Sequence, residues 1–459
     1  MGTTGGNPGN EVRLERPLTL AGGVALVIGG VIGMGIYALI AAVGAYAGST
    51  LWLAFILAIT VSVVGVAPLI QLSSAMPRAG GGYLYVSRLI NPATGTVTSY
   101  LAVLGGSSST AMVAYGLSSY IAPYLPWNVP VHVLAVIVPL LFLVLLFFGL
   151  KLAAWVQVIM TAQLIVALVW YGGAGALSTS IDFASNMPQG VGGLTMATIL
   201  GYSVCMGFQV IAEMGEEMVN ARRNIPLSLL IGGGIVLVVY LLVGMVFVSS
   251  VPYDFETIKA MKAPLMETGA RFLSPFWVAL LSLGALSAGL TSFNAGAIAL
   301  PRELFSQARD GVAPALFGRI DRRTGTPFNA VIAYFVFTVV LILFRQSIDF
   351  YGVMTAVGIL LMTALVAVAA VRLPSRFPER HAGSYFKMSR PALIVAAGVS
   401  VLSSLGFVFI VLTEAPVVGV IYAAWIVAVL VYYRLRVGWL RKNGFDWEGT
   451  IARIPGFDE

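Results

Sequence analysis

The sequence predicts an all-α polytopic membrane protein with twelve transmembrane helices, and three observations predict it. Hydrophobic residues fill 59% of the 459 positions and charged residues only 10%, where an ordinary soluble domain carries about 25% charged residues. Mean hydropathy is +0.93. Apolar runs long enough to cross a hydrocarbon core, about 20 residues each, follow one another from residue 18 to residue 436. They are continuous rather than alternating, which excludes a β-barrel. The net charge of +7 does not point to nucleic acid, because the basic residues fall in short clusters between the runs. The one cysteine, Cys205, lies inside a run, so neither an internal disulfide nor a disulfide-linked partner is expected. The two histidines, His132 and His381, fall one near each predicted membrane surface and cannot form a metal cluster.

The elements follow in order. Residues 1–17 form a polar tail, and the first apolar run is too long for a signal-peptide core. Twelve spans then cover 18–44, 50–75, 93–122, 130–149, 151–176, 194–218, 225–250, 275–305, 327–344, 348–371, 390–412 and 416–436. Most are bounded by Pro, Gly or charge. With the N-terminus in the cytoplasm, 22 of the 26 Lys and Arg fall inside; only Lys259, Lys262, Arg271 and Arg345 fall outside. That asymmetry places both termini in the cytoplasm. The longest outer loop, 251–273, carries a stretch from Ala263 to Phe272 that predicts a short surface helix. Ser306 to Pro327 form a basic cytoplasmic loop, and residues 437–459 a short polar cytoplasmic tail. The spans form one domain, 18–436, with no soluble module.

Glycine marks where the helices break. Span 1 reads I-G-G-V-I-G-M-G-I-Y from Ile28 to Tyr37. Each glycine costs a helix about 1 kcal/mol, and unwound backbone at membrane depth survives only where it lines a buried cavity. Span 6 has its own weak point from Cys205 through Met206 to Gln209. Interruptions at corresponding positions of two halves point to a transporter site at the midplane. Close helix packing through Gly29 and Gly33 is the competing reading. A break at Gly33 predicts free N–H groups at Gly33, Met34 and Gly35, at the positive end of a half-helix, where a carboxylate fits. Free carbonyls near Val31 and Met206 suit an ammonium group or a sodium ion. One cavity offering both ends is shaped for an α-amino acid.

Five motifs carry a resemblance. I-G-M-G-I-Y at span 1 is followed by M-P-R-A-G-G-G-Y-L-Y-V-S-R from Met76 to Arg88. Span 6 continues as G-F-Q-V-I-A-E-M-G-E-E-M-V-N-A-R-R-N-I-P, Gly207 to Pro226. R-E-L-F-S-Q-A-R-D-G-V-A-P, Arg302 to Pro314, and R-T-G-T-P, Arg323 to Pro327, complete the set. In this order they resemble the amino acid–polyamine–organocation permeases. The resemblance implies a leucine-transporter-type fold. It has two inverted five-helix repeats, about 18–176 and 194–371, plus two further helices at about 390–436. Two departures stand out. Asn220 is followed by Ala221 rather than Pro, and span 5 lacks the lysine that stands in for sodium in several members, with Gln163 about where it is expected.

The string Ala288-Gly-Leu-Thr-Ser292 in span 8 is similar to one found in sodium-coupled members of the wider fold. Carried over, the sodium ligands are the carbonyls of Gly29, Ile32 and Ala288 with the hydroxyls of Thr291 and Ser292. Helix back-bonding of Ser and Thr is the competing reading. On span 3, the resemblance turns Ser108 and Ser109 toward the substrate, against a packing role. Tyr202 and Ser203 fall where an aromatic gate is expected. Glu216 and Glu217, close to Arg222 and Arg223, read as a salt-bridged cytoplasmic gate, and the deeper Glu213 as the proton carrier if protons drive transport. No span near the cavity offers an obvious carboxylate for a basic side chain. The expectation is a secondary transporter, not an enzyme, that moves a neutral amino acid across the cytoplasmic membrane by alternating access. Sodium is the expected coupling ion, no other cofactor is expected, and the protein is a monomer or homodimer. The alternative is a proton-coupled or exchange transporter of cationic amino acids, polyamines or other organic amines.

Overall fold

A computed structural model of the protein describes residues 18–122, 125, 129–148, 150–181, 186–205, 207, 208, 211, 214, 217–261, 263–321 and 325–452. The described residues fold as helices, in the order α1 Leu20–Val31, α2 Met34–Ala47, α3 Leu51–Ala75, α4 Gly81–Leu89, α5 Pro92–Ile121, α6 Val131–Phe147 and α7 Leu150–Ser178. They continue with α8 Gly190–Val204, α9 Ala221–Ser249, α10 Phe255–Lys259, α11 Pro264–Gly269, α12 Pro275–Ala299 and α13 Pro301–Arg309. The last are α14 Phe328–Leu343, α15 Ile348–Arg376, α16 Pro378–Ala382, α17 Arg390–Glu414, α18 Pro416–Lys442 and α19 Trp447–Ala452.

Local chemistry sets many of the starts. Asn91 accepts the N–H of Thr94 (2.8 Å) ahead of Pro92, and Ser347 and Ser389 cap α15 and α17 in the same way. Among the described residues, seven apolar segments are long enough to cross a membrane by length and composition, against twelve predicted spans. The difference has physical sources. The segment from Leu20 to Ala75 holds three helices; Val131–Phe147, Gly190–Val204 and Phe328–Leu343 are apolar but shorter. The 30-residue α5 is diluted by Ser, Thr and Gly.

Those small residues let backbones close up. A Cβ at Gly358 of α15 would meet the Cα of Gly105 of α5 at 2.8 Å, so these two helices touch main chain to main chain. The largest apolar core joins α1 and α2 to α9 and α12. Apolar side chains also cover the outside: Leu402 of α17 and Leu435 of α18 are 73% and 71% exposed, a surface made for lipid.

The outer-loop stretch predicted as a surface helix contains α11, which buries one face and leaves Glu267 exposed on the other. Leu265 and Thr268 are fully covered, and the Thr268 hydroxyl lies 2.7 Å from that of Tyr171 on α7. The predicted polar tail is also structured. The last span continues to Lys442, and Trp447 of α19 joins Leu440 and Val437 against Tyr83 of α4.

On this face α4 is held by a buried ion pair. Arg88 donates to both oxygens of Asp310 (2.5 and 2.8 Å), and the Tyr83 hydroxyl donates to the same carboxylate (2.7 Å). Burial alone would pull the guanidinium of Arg88 down, but the Asp310 carboxylate more than offsets it and the net shift is upward. Burial, then the Asp310 charge, pushes the Tyr83 phenol well up, so it stays a donor. Helix α18 closes over this lock: Arg436 donates to the Gly311 carbonyl (2.9 Å) and Tyr432 to that of Val312 (2.7 Å).

Candidate functional site

The first helix break falls inside span 1. Helix α1 ends at Val31; Ile32 (φ −77°, ψ 81°) and Gly33 (φ −119°, ψ −156°) leave the helical region, and α2 restarts at Met34. The Gly33 N–H turns back onto the Val31 carbonyl (2.9 Å). It is therefore not one of the free donors expected there, and the first-turn N–H groups of Met34 and Gly35 remain for a ligand. Helix α8 ends at Val204, and Cys205 caps it with N–H bonds to the carbonyls of Gly201 and Tyr202.

The two breaks touch. Gly207 has φ +132°, and a Cβ there would strike the Gly30 carbonyl and sit 2.9 Å from the Val31 nitrogen. Only glycine satisfies both the backbone angle and the close approach. Gly207→Ala is therefore expected to abolish ligand turnover. Gly192→Ala, a position with open space around it, should leave turnover unchanged; a counterflow assay on both variants checks this.

Tyr240 of α9 ties the breaks together. Its hydroxyl lies 2.6 Å from the Val31 carbonyl and 2.9 Å from the Val204 carbonyl, the last carbonyls of α1 and α8. One proton thus serves two helix ends. Nothing in the sequence signals this: Tyr240 sits in an otherwise apolar run, where a tyrosine reads as packing.

Beside the breaks lies a cavity of about 100 Å³, on the scale of seven to ten water-sized groups at about 10–15 Å³ each. Of the residues predicted for the substrate, Val31, Gly33, Gly35, Ser109 and Ser203 line it. Three others point elsewhere. Met34 packs against Gly116 of α5, and Ser108 donates back to the Leu104 carbonyl (2.8 Å). Tyr202 turns its ring onto Phe407 of α17 (5.8 Å between centroids), away from the cavity, because its phase on α8 differs by about 100° from that of Ser203. Met206 and Glu213 lie outside the described residues.

One carboxylate does line the cavity, contrary to the sequence expectation: Glu303 of α13, fully buried. In the sequence it falls at the end of span 8. Its two oxygens accept the N–H groups of Gly82 and Tyr83 (3.1 Å each), capping α4 from another element. Glu217 is also buried, and it pairs with Arg302 of the same α13; Glu216 lies outside the described residues. The same segment pairs with Leu18 ahead of α1, through Leu18 N–H to the Glu217 carbonyl (3.2 Å) and Val219 N–H to the Leu18 carbonyl (2.9 Å).

The residues of α12 predicted to ligate sodium stand together beside the span 1 break. Thr291 stands beside Gly29, and its hydroxyl donates to the Ala288 carbonyl (3.1 Å). Ser292 and the same Ala288 carbonyl stand beside Gly33, between α1 and α2, and Ser292 lines the cavity. Ile32 is fully buried, and its N–H is spent on the Ile28 carbonyl (2.6 Å). Gln163 is not near this site; its amide donates to the Leu280 carbonyl (3.0 Å). The α7 residues that reach Gly29 are Gln157 and Thr161.

A family model described as amino acid permease matches residues 18–433. A vacuolar cationic amino acid transporter of Arabidopsis thaliana is 27% identical over 387 residues, covering 79% of this chain and 64% of that protein. The chain thus spans under two thirds of that relative's length. A transporter of Mycobacterium tuberculosis is 26% identical over 371 residues, covering 78% of this chain and 81% of that protein. A human Asc-type amino acid transporter is 26% identical over 344 residues, covering 70% and 64%. With a family match spanning the paired breaks and nearly the whole helical body, the chain belongs to the amino acid permease family, as its resemblance to the amino acid–polyamine–organocation permeases implied.

Proposed function

We propose that this protein carries an α-amino acid across the cytoplasmic membrane by alternating access, with both termini inside. The observation that carries the reading is the contact between the two helix breaks, with Tyr240 shared by their last carbonyls. The N–H groups at the start of α2 receive the substrate carboxylate, favoured by the positive helix end. The carbonyl of Val31 receives the ammonium group and relieves Tyr240 of serving two acceptors with one proton. The substrate is a small neutral amino acid: the cavity wall is formed largely by Gly, Ala, Val, Met and Ser.

A second reading rests on Glu303, the carboxylate in that wall, and on the Arabidopsis relative named as a cationic amino acid transporter. Counterflow in proteoliposomes loaded with single amino acids separates the two. Exchange of alanine or serine with no exchange of arginine or lysine supports the neutral reading. Exchange of arginine that is lost in Glu303→Gln supports the cationic one. Absence of counterflow with every amino acid, in protein that remains folded, would remove amino acids as substrates.

A further inference from the structure

Helix α4 stands between the cavity wall and the end of the chain, and one residue reaches both. The main-chain N–H of Tyr83 donates to Glu303 in the cavity wall (3.1 Å), and its hydroxyl donates to Asp310 (2.7 Å). Its side chain packs in one cluster with Val437, Leu440 and Trp447. The start of α4 is pressed equally closely onto α13. A Cβ at Gly80 would overlap the Ser306 side chain and lie 3.2 Å from the Arg302 carbonyl, so nothing fits between the two elements there. A route from the cavity past Glu303 leads through this seam, which opens only when α4 moves off α13.

The segment after the last span resists that movement. Where α18 ends, the N–H groups of Asn443 and Phe445 donate back to the Trp439 and Leu440 carbonyls (3.1 Å each), and Gly444 turns the chain with φ +71°. Asp446 accepts the Gly449 N–H (2.9 Å) and so caps α19. Trp447 folds back against Tyr433 of α18 (6.2 Å between ring centroids) and is 4% exposed, although it lies in a stretch expected to be a polar tail. The same hairpin grips the far side of the seam. A Cβ at Gly311 would meet the Phe445 ring at 3.4 Å, and Arg436 and Tyr432 hold the Gly311 and Val312 carbonyls. One part of the hairpin thus rests on α4 and another on the turn that ends α13. Parting α4 from α13 strains both contacts at once.

We propose that residues 432–452 form a strap that restrains the opening of the cavity toward the cytoplasm, with Trp447 as the positioning residue that acts on α4 through Tyr83. While Trp447 is seated, α4 stays on α13 and its two N–H groups stay on Glu303. Once Trp447 leaves, α4 can lift and the seam beside Ser306 opens. The strap sets how fast the gate opens, a step that limits turnover in many gated proteins, and not what the cavity accepts. This rests on the permease reading for its consequence in transport, but the seam itself is tested without any substrate.

The experiment is labelling of Ser306→Cys by a membrane-impermeant maleimide in the purified full-length protein, alone and combined with Trp447→Ala or Trp447→Phe. Ser306 is 6% exposed beneath Gly80, and the native Cys205 is 2% exposed, so protein without the new cysteine supplies the background. Slow labelling of Ser306→Cys alone, several-fold faster labelling with Trp447→Ala, and slow labelling again with Trp447→Phe, which keeps a ring against Tyr83, are the expected results. Without the added cysteine, Trp447→Ala should run counterflow several-fold faster, with the order of substrates unchanged. A folded Trp447→Ala that labels as slowly as Ser306→Cys alone overturns the proposal. Faster labelling with counterflow no faster than wild type overturns the restraint on transport. Should Trp447→Ala fail to fold, Tyr432→Phe, which loses the bond to the Val312 carbonyl and keeps its ring, takes its place: faster labelling supports the strap, and unchanged labelling overturns it. Faster labelling with no counterflow by any form, wild type included, upholds the strap and bears against the permease reading alone.

Discussion

Tyr240→Phe is expected to slow counterflow by about tenfold to a hundredfold while leaving the protein folded. Removing the hydroxyl keeps the ring volume, so packing is nearly conserved. It strips the shared donor from the Val31 and Val204 carbonyls, which lie 2.6 and 2.9 Å from it. Val31 keeps the Gly33 N–H (2.9 Å), but the Val204 carbonyl loses this donor; a buried acceptor left without a donor costs about 1–3 kcal/mol, and about 1.4 kcal/mol is a factor of ten. The loss should appear in the rate of turnover, because the donor that joins the two breaks is gone. Counterflow rates across a substrate series, with thermal unfolding in detergent as the control, check it. A variant with wild-type rate and affinity would sever the link between the two breaks.

The largest effect on stability is expected at the lock on α4. Asp310→Ala leaves the Arg88 guanidinium buried without its carboxylate; the two side chains are 1% and 3% exposed. Breaking a buried pair from one side costs about 3–5 kcal/mol, against a total stability on the order of 5–15 kcal/mol. Much of the variant should therefore aggregate or unfold in detergent at temperatures the wild type withstands. The double variant Arg88→Met with Asp310→Leu removes both charges and should recover most of the loss. Melting of the single variant at the wild-type temperature would mean that Asp310 does not carry this contact.

How much of this was legible beforehand depends on what each residue signals alone. The span 1 break was visible because glycine density has a direct backbone consequence, and the structure interrupts the helix at Ile32 and Gly33. Tyr240 was not, because a tyrosine in an apolar run gives no sign of which carbonyls it will meet across the bundle. Tyr202 and Ser203 are neighbours in sequence but differ by about 100° in helical phase, and only Ser203 lines the cavity. Gln163, about where the resemblance expects a lysine, donates to the Leu280 carbonyl of α12, while Gln157 and Thr161 are the α7 side chains beside Gly29. Glu303 was missed because a charged residue in the last turn of a span reads as meeting solvent, while the fold buries it in the cavity wall.

The lock on α4 also has a history within each molecule. Arg88 and Asp310 are 222 residues apart. At a synthesis rate of about 5–20 residues per second, Arg88 emerges on the order of ten to forty seconds before its partner. Throughout that interval the carboxylate it meets in the finished protein is absent, and a basic residue between apolar helices helps to hold newly inserted helices in their orientation. When Asp310 arrives, the same charge is withdrawn into the protein, and Arg436 and Tyr432 of α18 then close over the turn that follows Asp310. One arginine thus acts first as an anchor for the growing chain and then as a strut in the finished one.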